Sequence, residues 1–240
     1  MAEIYAVASG KGGVGKSTFV TGISRELALL GKKALAVDCD IALRSLDILF
    51  GKEEEVVYDW GDCALGRCDP DQLVIKGEAD FIAAPRNPDP AFTYENLKKI
   101  IDSLAPLYDY VFLDAPAGIG SGFVNAVKCA EKAVVLTTPD PVCVRSCGVA
   151  AAEAEKLGAK DVKLIINMFE VKPTVKKKLL NLDECIDGAL VPLLGVIPLD
   201  RALTFISVTG EEADEFMPST QAFNRIARRL TGERVPLVCE

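Results

Sequence analysis

Gly10-Lys11-Gly12-Gly13-Val14-Gly15-Lys16-Ser17-Thr18 follows a short apolar run, Ile4 to Ala8, and opens onto a helical pattern that begins near Lys16. A strand, a glycine-rich turn and a helix N-terminus together make an anion trap. The helix start presents unpaired N–H groups with positive dipole character, and glycines let the backbone wrap an oxygen-rich ligand. Gly10, Gly15, Lys16 and Ser17 satisfy G-x-x-x-x-G-K-[ST], the P-loop spacing. In that motif the lysine reaches the β- and γ-phosphates of a nucleotide and the serine hydroxyl ligates Mg²⁺.

Outward from this loop, helical spacing of Phe19, Val20, Ile23, Leu27 and Leu30 predicts a helix that Gly31 ends. Ala34 to Val37 is an unbroken apolar run, as expected of a parallel strand buried on both faces. It ends in Asp38-Cys39-Asp40. Two carboxylates therefore emerge at the strand edge where an open α/β sheet also carries its P-loop. Tyr110 to Leu113 repeats the form and ends at Asp114, the Walker B pattern, so Asp114 is read as a direct or water-mediated Mg²⁺ ligand.

Elsewhere the pattern alternates. Phe81 to Ala84, Ala133 to Leu136, Val162 to Ile166 (ending at Asn167) and Leu193 to Ile197 read as strands. Thr93 reads as the cap of a helix with Leu97, Ile100, Ile101 and Leu104 on its inner face. Further helices are predicted over Val142 to Leu157, Pro173 to Leu182, around Ala202 to Ser207, and over Ser219 to Leu230. Residues 51 to 79 read as a surface loop with one small helix. The alternation implies one α/β domain over residues 1 to 240, with a mostly parallel sheet and no internal repeat.

Half of the 240 residues are hydrophobic and the net charge is −8. That balance argues against a general nucleic-acid binder, whose domain is normally basic. Lys176, Lys177 and Lys178 are then read as a solvated helix face. No run of about eighteen apolar residues occurs, which excludes a membrane-spanning helix. Met1-Ala2-Glu3 runs directly into the first strand with no leader, so a cytoplasmic protein is expected. The eight cysteines are then read as thiols, with Cys39, Cys129 and Cys185 as core residues. Cys63 and Cys68, or Cys143 and Cys147, have spacings open to a metal site shared across a dimer. Neither pair has C-x₂-C spacing, and the chain has no histidine.

Lys11 sets this loop apart from an ordinary P-loop. Lys11-Gly12-Gly13-Val14-Gly15-Lys16-Ser17-Thr18 resembles the deviant Walker A motif of the MinD/ParA family of dimerising ATPases. The likeness continues through Asp38-Cys39-Asp40-Ile41-Ala42-Leu43-Arg44-Ser45-Leu46-Asp47, through Val56-Val57-Tyr58-Asp59 and Asp114-Ala115-Pro116-Ala117-Gly118-Ile119, and to Gly195-Val196-Ile197-Pro198. It covers the chain from residue 4 to about 200 and implies a P-loop NTPase fold, a twisted and mostly parallel sheet with helices on both faces.

By this resemblance Gly10 through Thr18 would bind ATP or ADP with Mg²⁺. Lys11 would cross a homodimer interface to the partner's phosphates, Lys16 would act within its own chain, and Asp40 would position the attacking water. Ser17, Asp38 and Asp114 would serve the metal. Asn167 would meet the adenine edge, and Pro198 to Asp200 would lie along the base. The expected function is an ATP-dependent switch that positions a protein partner's assembly, division-site placement first. Two other branches of the superfamily stay open: metallocluster scaffolds of the Mrp/CooC kind and ParA-type partitioning ATPases.

Two stretches depart from the family. Glu233-Arg234-Val235-Pro236-Leu237-Val238-Cys239-Glu240 cannot form the lipid-binding helix of membrane-acting members, so recruitment to a membrane is expected only through a partner. Val144-Arg145-Ser146-Cys147-Gly148 lacks the acids that the family uses there for partner binding, so its usual partners are not carried over.

Overall fold

The computed structural model describes residues 1–41, 43–170, 179–203 and 214–238. Seven strands form one sheet: β1 (Glu3–Ala8), β2 (Ala34–Asp38), β3 (Asp80–Ile82), β4 (Tyr110–Asp114), β5 (Lys132–Thr137), β6 (Asp161–Phe169) and β7 (Leu193–Pro198). Their order is β3-β2-β4-β1-β5-β6-β7, and every neighbouring pair is parallel. Parallel neighbours need crossovers, and helices supply them on both faces.

One face carries α1 (Lys16–Leu29) and α8 (Pro218–Leu230), where Phe19, Ile23, Leu27, Phe223 and Ile226 close a core over Val7, Phe112 and Val134. The other carries α4 (Tyr94–Leu104), α5 (Ser121–Cys129), α6 (Pro141–Lys156) and α7 (Leu182–Ala189), packed over Val37, Leu113 and Val135. Full burial of each large side chain here is worth about 1.5–3 kcal/mol. The apolar strand runs are explained by this double coverage.

Most boundaries agree with the sequence to within a residue or two. Thr93 accepts from the Asn96 N–H at 3.4 Å and caps α4, whose inner face is Leu97, Ile100, Ile101 and Leu104 as predicted. The helix α5 was not anticipated, because Gly120 and Gly122 break a nine-residue pattern too short to show a period. Nor was α7, although Asn181 and Glu184 close a reciprocal capping box at its start. A short α2 (Leu46–Leu49) was also missed. β6 extends past Asn167 to Phe169, with a register irregularity between Ile166 and Phe169.

Residues 51 to 79 require a larger correction. They do not simply lie on the surface: α3 (Trp60–Ala64) begins with a tryptophan that is only 2% exposed. Leu73 is also fully buried, and Ile75 pairs with Phe81 in an isolated antiparallel bridge. The lysine run Lys176 to Lys178, most of the helix predicted over Pro173 to Leu182, and Thr204 to Ser207 of the next lie outside the described residues.

Candidate nucleotide site

The central strand β1 runs into the glycine loop, and the loop runs into α1. Gly15 stands at the N-cap of α1 with φ of 91°, left-handed backbone that only glycine adopts without strain, and no side chain caps the helix. The first N–H groups of α1 therefore face outward as an anion site. Three hydrogen bonds fix the loop from behind: Ser9 Oγ donates to the Lys11 carbonyl (2.8 Å), Gly118 N to the Ser9 carbonyl (2.9 Å), and Asn167 Nδ2 to the Val14 carbonyl (2.8 Å). At Gly15 a Cβ would sit 2.3 Å from that same Nδ2, so the glycine also makes room for the asparagine.

Asp38 and Asp114 end adjacent strands in register with one another. Both are buried, at 0% and 1% exposure. Asp38 is fully engaged: Oδ1 accepts from Asp40 N at 2.9 Å, and Oδ2 from Ser45 N at 2.8 Å and Leu46 N at 3.0 Å. It thus shapes the loop that carries Asp40. Burial still raises its pKa, against the pull of those N–H groups. Asp114 closes no hydrogen bond with either oxygen. Burial, followed by the charge of Asp38, pushes its pKa up to about 7, although the nearby Ser17 hydroxyl and Lys16 act the other way.

A buried carboxylate left unpaired beside another is costly unless a cation joins it. Asp114 with Ser17 therefore fits a hard divalent ion, whose preferred donors are carboxylate and hydroxyl oxygens. Ser45 reaches the same place from the other loop, its Oγ 3.0 Å from Ser17 Oγ.

The remaining predicted residues divide. Asp40 is half-buried; burial raises its pKa and the charge of Lys16 lowers it, so the two lie in one field. Lys11, Gly12 and Gly13 are exposed along the outer edge of the loop. Lys11 Nζ is 4.0 Å from Asp140 Oδ1, both side chains about half-exposed. A contact that long and that wet is worth under about 1 kcal/mol, too little to hold the lysine from a stronger anion. A cleft of about 380 Å³ beside this edge is lined by Lys11, Thr138, Pro139, Asp140, Met168 and Leu199.

Asn167 is not displayed in that cleft; it is buried, with its amide spent on the loop. Asp200 likewise turns inward, accepting from Ala202 N at 3.0 Å and from the Ser219 hydroxyl at 2.8 Å. Pro198, the last residue of β7, is paired with Phe169.

Sequence reasoning missed Ser45 and Trp60 as part of this neighbourhood. The cysteines are free thiols among the described residues, and no group of three or more Cys, Asp or Glu there has metal-holding geometry. Cys143 and Cys147 are 7% and 0% exposed, which puts that pair inside the protein and not at a surface two subunits can share. Cys39, Cys129 and Cys185 are buried, as expected of core residues.

An outward-facing helix start beside a buried, unpartnered acid is what phosphate and its counter-ion require, and the class this sheet builds is the P-loop nucleotide-binding protein. Comparison with known proteins narrows it. Residues 5–212 match the CobQ/CobB/MinD/ParA nucleotide binding domain. The septum site-determining protein MinD of Bacillus subtilis is 35% identical over 247 aligned positions, covering 99% of this chain and 92% of its own. The MinD of Synechocystis is 33% identical, with the same shares covered. Among solved structures, the MinC:MinD cell division protein complex of Aquifex aeolicus superposes with a TM-score of 0.90 at 32% identity, covering 99% of this chain and 98% of that one. MinD of Pyrococcus horikoshii complexed with Mg-ADP gives 0.86 at 25% identity, covering 96% of both chains. The chain belongs to the MinD/ParA nucleotide-binding family and is an ATPase of the MinD type. Among the described residues, no helix is long and apolar enough to cross a membrane.

Proposed function

We propose that this chain is an ATP-gated dimerising switch that takes part in placing the division site, engaging a protein partner in one nucleotide state and releasing it in the other. The observation that carries the reading is the second loop lysine. Lys11 is exposed, weakly held and on the outer edge of the phosphate loop, where its ammonium group lies 4.0 Å from Asp140 Oδ1. Such a lysine gains a strong charge-assisted partner when a second subunit brings phosphates to it. Nucleotide binding and dimerisation then become one linked event.

Within the site, Lys16 and the N–H groups of Gly12 to Thr18 hold the β- and γ-phosphates. Ser17 and Asp114 would hold Mg²⁺, which would supply charge neutralisation at the phosphates, and Asp38 fixes the loop beside them through its three backbone donors. Asp40 orients the attacking water. Phosphoryl transfer needs placement and charge stabilisation more than covalent help, so a fixed Asp40 and two lysines suffice for a slow hydrolase. Leu199, which follows Pro198 at the end of β7, borders the cleft on the side where the base would lie, and Asn167 acts by holding Val14 in place.

Asp40→Ala tests the reading. The variant should bind ATP, dimerise and stay dimeric, because only water placement is lost. ATP hydrolysis at the parent rate would remove Asp40 from the reaction.

A further inference from the structure

We infer that Trp60 is a positioning residue for hydrolysis: its indole N–H fixes the peptide that leads from β2 to Asp40. The inference rests on the proposed role of Asp40 and assigns a task to a segment the reaction had not used. Trp60 Nε1 donates to the Asp38 carbonyl at 2.9 Å, in a buried setting. The other end of that same peptide unit, the Cys39 N–H, donates to the Asp114 carbonyl at 3.0 Å. One peptide plane is thus held from both ends, by the Walker strand on one side and by a tryptophan from α3 on the other. The next N–H, that of Asp40, is taken by Asp38 Oδ1. The backbone from the end of the strand to the Asp40 N–H is thus held at each polar group named.

The tryptophan is itself held. Its backbone N–H donates to the Ala83 carbonyl just beyond β3 (3.2 Å), and its ring packs edge-on against Phe92 with centroids 5.0 Å apart. Asp59 and Asp62 close a reciprocal capping box around the start of α3. The indole therefore has a fixed location from which to hold the Asp38 carbonyl. Phenylalanine keeps an aromatic ring at this core position but loses the volume of the fused ring as well as the N–H. Without that N–H a buried carbonyl loses its donor and the peptide plane is held at one end.

Trp60 is also the only tryptophan in the chain, so its emission reports on this peptide alone. The test compares the parent with Trp60→Phe and with a chain carrying benzothienylalanine at position 60, which keeps the fused ring and replaces N–H by sulfur. Steady-state ATP hydrolysis with Mg²⁺ should show kcat roughly five- to tenfold lower in both, since a positioning hydrogen bond worth about 1 kcal/mol is gone. KM and ADP affinity should stay within about twofold, because the phosphate loop is untouched. Trp60 emission should keep its wavelength when ATP and Mg²⁺ are added to the Asp40→Ala protein, in which the nucleotide survives, because the indole is held in place from both sides.

Parent kcat in both N–H-deleted proteins, a loss confined to KM, or an emission that shifts with nucleotide would each overturn the inference. If Asp40→Ala is inactive while the two Trp60 proteins are unimpaired, the Trp60 inference alone falls. If Asp40→Ala hydrolyses at the parent rate, the underlying reading of Asp40 falls first and takes this one with it.

Discussion

Asp38 and Asp114 stand side by side in register at the carboxyl ends of adjacent strands, and of their two carboxylates only that of Asp38 has hydrogen-bond partners. The pair is asymmetric by construction: one acid organises a loop and the other is left for a cation. Asp114→Asn should therefore stabilise the metal-free protein by about 1–2 kcal/mol, raising its Tm by about 2–6 °C, because it removes an unpaired buried charge at nearly constant shape. The gain depends on pH. The carboxyl titrates near 7 when folded, far above its ordinary value of 3.8. Its contribution to parent stability is thus fully present below about pH 4 and is lost as pH rises through about 7. The difference between variant and parent should be large at pH 8 and small at pH 5, read by thermal unfolding without metal. Loss of stability at pH 8 would mean that Asp114 is satisfied by some group of the protein itself.

Asn167→Ala should leave the Val14 carbonyl without its donor and loosen the back of the phosphate loop. A cost of about 1–3 kcal/mol in urea unfolding is expected from the orphaned buried carbonyl. ATP and GTP should lose affinity by the same factor, since the asparagine acts on the loop that holds the phosphates common to both. A selective loss for ATP in parallel titrations would instead place Asn167 on the adenine edge.

Cys68 should be slow to react at neutral pH. Burial, then the neighbouring Cys63, pushes its thiol up to about 11 from an ordinary 9.0. The thiolate fraction at pH 7 is then roughly 100-fold below that of an unperturbed cysteine, and alkylation should slow in proportion. Iodoacetamide pulses followed by peptide mass mapping check this, with labelling expected to accelerate through pH 10 to 11. Fast labelling at pH 7 would reveal a thiolate and reopen a metal or redox role for the Cys63–Cys68 pair.

Much of this architecture could be read from the chain because parallel strands buried on both faces have to be apolar along their whole length, so Ala34 to Val37 and Tyr110 to Leu113 announce themselves. The acids that end them were legible for the same reason: a charge that terminates such a run must lie at the sheet edge. Lys11 was legible from its resemblance to one family's loop. Trp60 and Ser45 were not, because each is tied to its partner only by tertiary folding. The partner of Trp60 is a backbone carbonyl 22 residues away, and that of Ser45 a hydroxyl 28 residues away. Tyr58 and Trp60, two residues apart in a polar segment, show no helical period, which is why residues 51 to 79 read as surface. The resemblance singles out Asn167 for the adenine edge and Asp200 as lying along the base, but the turn of their side chains toward the protein's own backbone and hydroxyl groups is not a property of residue type or spacing.

The central claim is that Lys11 serves another subunit and Lys16 serves its own. Molar mass in solution, measured by light scattering on Lys11→Ala with Mg²⁺ and a non-hydrolysable ATP analogue, tests it most directly. The account predicts that the parent doubles its mass with the analogue, while the variant binds the analogue with affinity close to the parent's and remains a monomer. A Lys11→Ala dimer as stable as that of the parent would contradict it.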